Sequence, residues 1–220
     1  MPDQPATPPS PLERADDAPI EIPDLWHARD VDPNVGGPDF SRLAEAVQLL
    51  QDRFTGACLP ADRTVEVAAQ IERIAALLGE FQVEERRAPA GARSDLPGRG
   101  SALLPRFCVD HGTDTSVRGS VTFTRFHLGG NGAAHGGTLA LLFDDVMGHL
   151  VSTRGNGVSR TAYLHVNYRS VALLERPMRF DVAIERVDGR KTWSTARITD
   201  GDQLVSDAEG LFIRLLPGQP

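Results

Sequence analysis

The chain has 220 residues, 40% of them hydrophobic, which is enough for one domain with an extension or for two small domains. A formal net charge of -7 with scattered Lys and Arg excludes a general nucleic-acid binder, because phosphate binding draws on clustered cations. Cys58 and Cys108 alone make neither a disulfide framework nor a cysteine zinc site, and no run approaches the roughly 20 apolar residues of a membrane span, so no membrane partner is expected.

Residues 1–38 are rich in Pro and acidic side chains and are expected to be extended or disordered, with Ile20, Ile22, Leu25 and Trp26 as one small apolar cluster able to dock. They contain no signal-peptide core, which makes a cytoplasmic protein the expectation. Residues 39–83 predict a two-helix extension. The first helix starts at Ser41 as N-cap and carries Leu43, Val47, Leu50 and Phe54 to Gly56; the second runs from Asp62 to Phe81 with Val65, Ala68, Ile71, Ile74, Leu78 and Phe81 at helical spacing. Residues 84–100, with Pro89, Gly91, Pro97, Gly98 and Gly100, read as a linker to a main domain over residues 101–220.

In that domain Gly119–Leu128 reads as a strand, followed by the run Gly129-Gly130-Asn131-Gly132-Ala133-Ala134-His135-Gly136-Gly137-Thr138 and an apolar helix from Leu139. From Thr161 to Arg169, Ala162, Leu164, Val166 and Tyr168 alternate with Thr161, His165, Asn167 and Arg169, so one face should be buried. Strands over Arg179–Arg186, Lys191–Thr199 and Leu204–Leu215, joined by turns at Asp188-Gly189 and Asp200-Gly201, make an antiparallel meander. The sum is an α+β domain, one curved antiparallel β-sheet wrapped around a long central α-helix that is apolar all round. Cys108 is expected as a buried strand thiol, and Trp193, Phe123, Phe126 and Phe180 as strand residues of the core.

The glycine run has no GxGxxG match and no Lys after Gly137, which sets nucleotide loops aside and leaves a plain turn or a functional helix start. Unpaired N–H groups at that start suit an anion or a polarised carbonyl. Asp144 and Asp145 then lie in an apolar run where an ionised carboxylate is costly to bury. Gly137, Ala140, Asp144 and Gly148 form a stripe of small residues with room beside Asp144, whereas Asp145 lies one turn before His149 and is placed to pair with it. His135 and Asp144, nine residues apart, are about 13 Å distant along a helix. One chain therefore cannot bring both to a single atom, and a two-fold partner with an antiparallel helix would close the gap. Cys108, His111, His127 and His135 lack metal-ligand spacing, so no metal is expected, and Ser120 and Ser170 have no nucleophile elbow.

His135-Gly136-Gly137, with Asp144 nine positions after the His and Gly148 four later, resembles the HGG-motif hotdog-fold acyl-CoA thioesterases of the phenylacetate-pathway type. The likeness extends over about residues 101–216 and includes Thr161–Ser170. It implies a homodimer or dimer of dimers with joined sheets, sites at the helix interface, an acyl-CoA substrate and no cofactor. By the same resemblance Asp144 is the general base or nucleophile, the Gly136 N–H the oxyanion donor, and His135 the residue that shapes the loop and contacts the thioester. Thr161 would hold the attacking water, and Asn131, Gly137 and Asp145 are candidate substrate contacts. The chain departs from its relatives at Gly129, where many have Asn or Gln, and in the residues before Ser101, which would be a lid, a dimer brace or a partner-binding arm. A non-catalytic acyl-CoA-binding hotdog protein and an enoyl-thioester hydratase remain alternatives.

Overall fold

The computed structural model describes residues 34–153 and 157–219, so the expected apolar cluster at Ile20–Trp26 lies outside the described residues. The chain divides into two units, with the boundary between Leu103 and Leu104.

In the N-terminal unit, α1 spans Phe40–Gly56 and α2 spans Ala61–Gly79. The expected cap at Ser41 is displaced: Asp39 precedes the helix and makes no side-chain cap, so Ser41 lies inside the first turn. Neither helix buries a residue completely. The polar flank of α1 is tied down instead, with Gln48 Nε2 donating to the Ser101 carbonyl at 3.2 Å and Gln51 Nε2 to that of Ala102 at 2.8 Å. Within residues 84–100 the Arg93 guanidinium is buried, forks onto Asp95 with two 2.7 Å hydrogen bonds and lies over the Phe40 ring at 5.7 Å. A planar fork matched to a carboxylate makes burial of that charge tolerable.

The second unit holds an antiparallel six-stranded sheet, ordered β1-β2-β6-β7-β8-β5. Its strands are β1 (Arg106–Gly112), β2 (Ser116–Thr122), β5 (Ser159–Tyr168), β6 (Pro177–Asp188), β7 (Lys191–Asp200) and β8 (Gln203–Arg214); β3 (Leu128–Gly130) and β4 (Ala133–Ala134) form a separate short hairpin. The helix α3, Gly136–Val151, packs on the sheet through Leu139, Leu142, Phe143, Val146, Met147, Leu150 and Val151. Those side chains meet Val121, Phe123, Phe180, Val182, Ile198 and Phe212 in one core. Burying each such side chain stabilises the fold by about 1.5–3 kcal/mol, which outweighs weak helix propensity in the Gly-rich first turn. This is the expected α+β hotdog arrangement, with the meander turns at Gly189 and Gly201 where the sequence puts them.

The strand order begins at β1, around the expected strand thiol Cys108, rather than at Gly119, and the next strand, β2, ends at Thr122 rather than Leu128. Gly119 accounts for the shortened apolar pattern of β2, which starts at Ser116 rather than at the expected Gly119. Its position in β2 faces the core without a side chain, so the apolar alternation is interrupted where the Phe180 ring fills the space. Thr124 then breaks the strand: its hydroxyl accepts from the His127 backbone while His127 Nδ1 accepts from Thr124 N at 2.9 Å, a capping box that turns the chain. Phe126 falls in that turn, outside any strand and partly exposed, and Cys108 lies on β1 with its side chain exposed rather than buried. Most consequentially, α3 is not enclosed on all sides. Gly137 and Asp144 are exposed, with Ala140 and Gly148 half-buried between and beyond them, so the stripe of small residues is the open face of the helix.

Candidate active site

Two clusters of predicted site residues form, one at the start of α3 and one at its middle. At the start, the glycine run folds as the β3–β4 hairpin around Asn131 and Gly132, both at positive φ. Backbone bonds from Ala134 N to Ala172 O at 2.8 Å and from Leu174 N to Gly132 O at 3.0 Å hold this hairpin to the segment leading into β6. His135 N donates to His127 O at 2.7 Å, so the same His127 that closes the capping box also fixes where α3 begins. A side chain at Gly129 would run into the His135 backbone, its Cβ only 2.7 Å from His135 Cα. An Asn or Gln at position 129, as the resemblance would imply, therefore has no space here, and Asn131 stands exposed at the hairpin tip.

His135 is the N-cap of α3. Its Nδ1 accepts from Gly137 N at 3.0 Å, which places the ring proton of the neutral imidazole on Nε2, and Thr138 N donates to His135 O at 2.9 Å. The N–H of Gly136 makes no hydrogen bond among the described residues. It is the orphan donor of the first turn, at the positive end of the helix. Tyr168, at the end of β5, lays its ring against Gly136 and donates its hydroxyl to the Gly136 carbonyl at 3.0 Å.

At the middle of α3, Thr161 Oγ1 donates to Asp144 Oδ1 at 2.7 Å. Strict alternation in β5 would turn Thr161 to the face of His165 and Asn167, away from the helix. A bulge reverses this: Thr161 pairs with Phe212 and Tyr163 with Leu211, leaving Ala162 as the extra residue. Thr161 thereby joins Leu164, Val166 and Tyr168 on the side facing α3, and no sequence signal announced it. Asp145, a quarter turn from Asp144, is half-buried on the flank of the helix. The two clusters stay apart, since Gly136 and Asp144 are eight residues distant on one straight helix, about 12 Å. His111 and Cys108 lie on β1, and no group of three His, Cys, Asp or Glu able to hold a metal occurs among the described residues.

Charge elsewhere on this unit is mostly paired across strands. Asp181 accepts from Arg118 at 2.9 Å and from Arg197 at 3.3 Å, and Asp207 accepts from Arg169 at 2.6 Å and Asn167 at 2.8 Å. The Arg169 guanidinium bonded to Asp207 holds its carboxyl below the usual carboxylate range.

Residues 131–206 match the family model of the thioesterase superfamily. A crystal structure described as a thioesterase superfamily protein is similar at 30% identity and a TM-score of 0.67, over 79% of this chain and 90% of that one. The chain belongs to the thioesterase superfamily. More distant thioesterase-superfamily folds include superfamily member 2 from Mus musculus, at 13% identity over 50% of this chain and 82% of that one with a TM-score of 0.47. Another is a hypothetical thioesterase from Streptococcus pneumoniae solved with coenzyme A, at 20% identity over 49% and 87% with a TM-score of 0.47. For this thioesterase-superfamily chain the 79% share is larger than residues 104–220 account for, so its likeness to the first structure extends ahead of Leu104. Superfamily membership supports thioester hydrolysis as the reaction class. No helix of the described residues is long and apolar enough to cross a membrane.

Proposed function

We propose that this protein hydrolyses acyl-CoA thioesters to a free carboxylic acid and CoA, with Asp144 as the base and the Gly136 N–H as the oxyanion donor, and that it does so as a homodimer. The observation that carries the reading is the 2.7 Å bond from Thr161 to Asp144 on the one open stripe of an otherwise buried helix. A carboxylate held by one oxygen has its second oxygen free to take a proton from water. The hydroxide adds to the thioester carbonyl, and the negative oxygen that forms is received by the Gly136 N–H. Collapse of the adduct breaks the C–S bond, and the departing thiolate recovers the proton from Asp144.

The two groups cannot meet on one carbonyl within a chain at about 12 Å separation, so the base and the donor come from different protomers. Two features support a second copy beside α3. β5 stands at the edge of the sheet with its outer row of backbone groups unpaired in the sheet, and the Asp144 stripe opens next to it. CoA as the thiol carrier rests on the His135-Gly136-Gly137 run and its resemblance to the HGG acyl-CoA thioesterases.

The test is thiol release from a panel of acyl-CoA esters. Wild-type protein is expected to turn over at least one of them, and Asp144→Asn to lose roughly 10²–10⁴ of kcat, as removal of a general base does. Turnover by Asp144→Asn within a few-fold of wild type would overturn the assignment.

A further inference from the structure

The sequence marks Tyr168 only as a member of the alternating face of β5, yet it is the only side chain seen to hold the carbonyl of the proposed oxyanion residue among the described residues. The peptide unit between Gly136 and Gly137 is held at both ends. Its N–H is taken by His135 Nδ1 at 3.0 Å and its C=O by Tyr168 Oη at 3.0 Å. A peptide is planar, so fixing both ends fixes this plane and the place of the Gly136 Cα in it, while Thr138 N on the His135 carbonyl at 2.9 Å holds the preceding peptide, which carries the free Gly136 N–H. The ring adds a steric stop: a Cβ on Gly136 would sit 3.2 Å from Tyr168 Cε1 and Cζ. Strand β5 thus braces the helix start from one side while the cap residue braces it from the other.

We propose that Tyr168 is a positioning residue for thioester hydrolysis: through its hydroxyl on the Gly136 carbonyl it aims the neighbouring Gly136 N–H at the developing oxyanion. The inference rests on the hydrolytic reading above. A hydroxyl that acts only on donor alignment contributes to the transition state and not to ground-state binding, so its loss is read in kcat with KM unchanged. Removing an oxyanion donor outright costs about 10²–10³ in kcat, and misaligning one is expected to cost roughly 10-fold.

The test is Tyr168→Phe, which keeps the ring and deletes the hydroxyl, measured in the full-length protein beside Asp144→Asn. Expected are a kcat about 10-fold lower, KM and Tm close to wild type, and faster hydrogen exchange of the Gly137 amide by NMR as the clamp on its peptide loosens. A kcat within two-fold of wild type overturns the positioning role even if exchange rises, and unchanged Gly137 exchange overturns the clamp itself. A fall in Tm with kcat preserved assigns the hydroxyl to packing and rejects the proposal. Failure of the hydrolytic reading shows differently, as an Asp144→Asn protein that matches wild type or a wild type that releases no thiol, and the role of Tyr168 in hydrolysis falls with it.

Discussion

Single residues here act chiefly through what they hold. His135 spends its Nδ1 on the helix N-terminus, Thr161 its hydroxyl on Asp144, and Tyr168 its hydroxyl on a backbone carbonyl, so the proposed base and oxyanion donor are positioned by their neighbours. The same logic gives a pH effect away from the site. Asp207 is held below the ordinary carboxylate range, first by its hydrogen bond to Arg169, with a further contribution from Asn167. A carboxyl depressed in the folded state stabilises the fold above its unfolded value near 3.9, and that stability is lost as pH falls through the folded value. Chemical denaturation followed from about pH 5 downward should therefore show a steeper loss for wild type than for Asp207→Asn, and parallel curves would refute the linkage.

At the scale of elements, β2 shows what one missing side chain does. A Cβ on Gly119 would run into the Cys108 carbonyl oxygen and Phe180 Cζ, where the backbone of β1 and a core ring leave no room. Gly119→Ala should destabilise the sheet by about 3 kcal/mol, near the top of the overpacking range, and lower Tm by roughly 6–12 °C. A Tm shift under 2 °C would mean that β1 moves aside freely. The same glycine blurred the bounds of β2, expected over Gly119–Leu128 and found over Ser116–Thr122, because its apolar pattern shrinks to Val117 and Val121 around a gap. Elsewhere the pattern was legible: the β6–β7–β8 meander, its two Gly turns and the helix α3 follow from periodicity and turn chemistry. Of the candidate site, the stripe Gly137, Ala140, Asp144 and Gly148 was readable as one face with room beside Asp144, although apolar neighbours on the other faces suggested that the helix as a whole was enclosed. The Thr161–Asp144 bond depends on a one-residue bulge, and the Tyr168–Gly136 bond on a contact 32 residues apart in sequence. Neither leaves a local trace.

For the whole molecule, the open stripe of α3 and the edge position of β5 are the features on which the proposed division of labour between protomers rests. Complementation tests it directly. Gly136→Pro deletes the free N–H at the first helical position, where Pro is well tolerated, and should leave a folded chain with little activity once the Tyr168 ring yields a few tenths of an ångström. Asp144→Asn should be inactive as well. Mixed and allowed to exchange subunits, the two variants form hybrid dimers in which one of the two sites has both wild-type groups, and roughly a quarter of wild-type turnover should return. No recovery on exchange would place base and donor in the same chain. The N-terminal unit adds a second surface of interest, because Phe54, Val65 and Phe81 are 75%, 72% and 70% exposed on its helices and the segment following them. If each site is divided between copies, the unpaired edge of β5 links catalysis to abundance: turnover per chain depends on how many chains are present, and dilution alone lowers it without any change in sequence, substrate or pH.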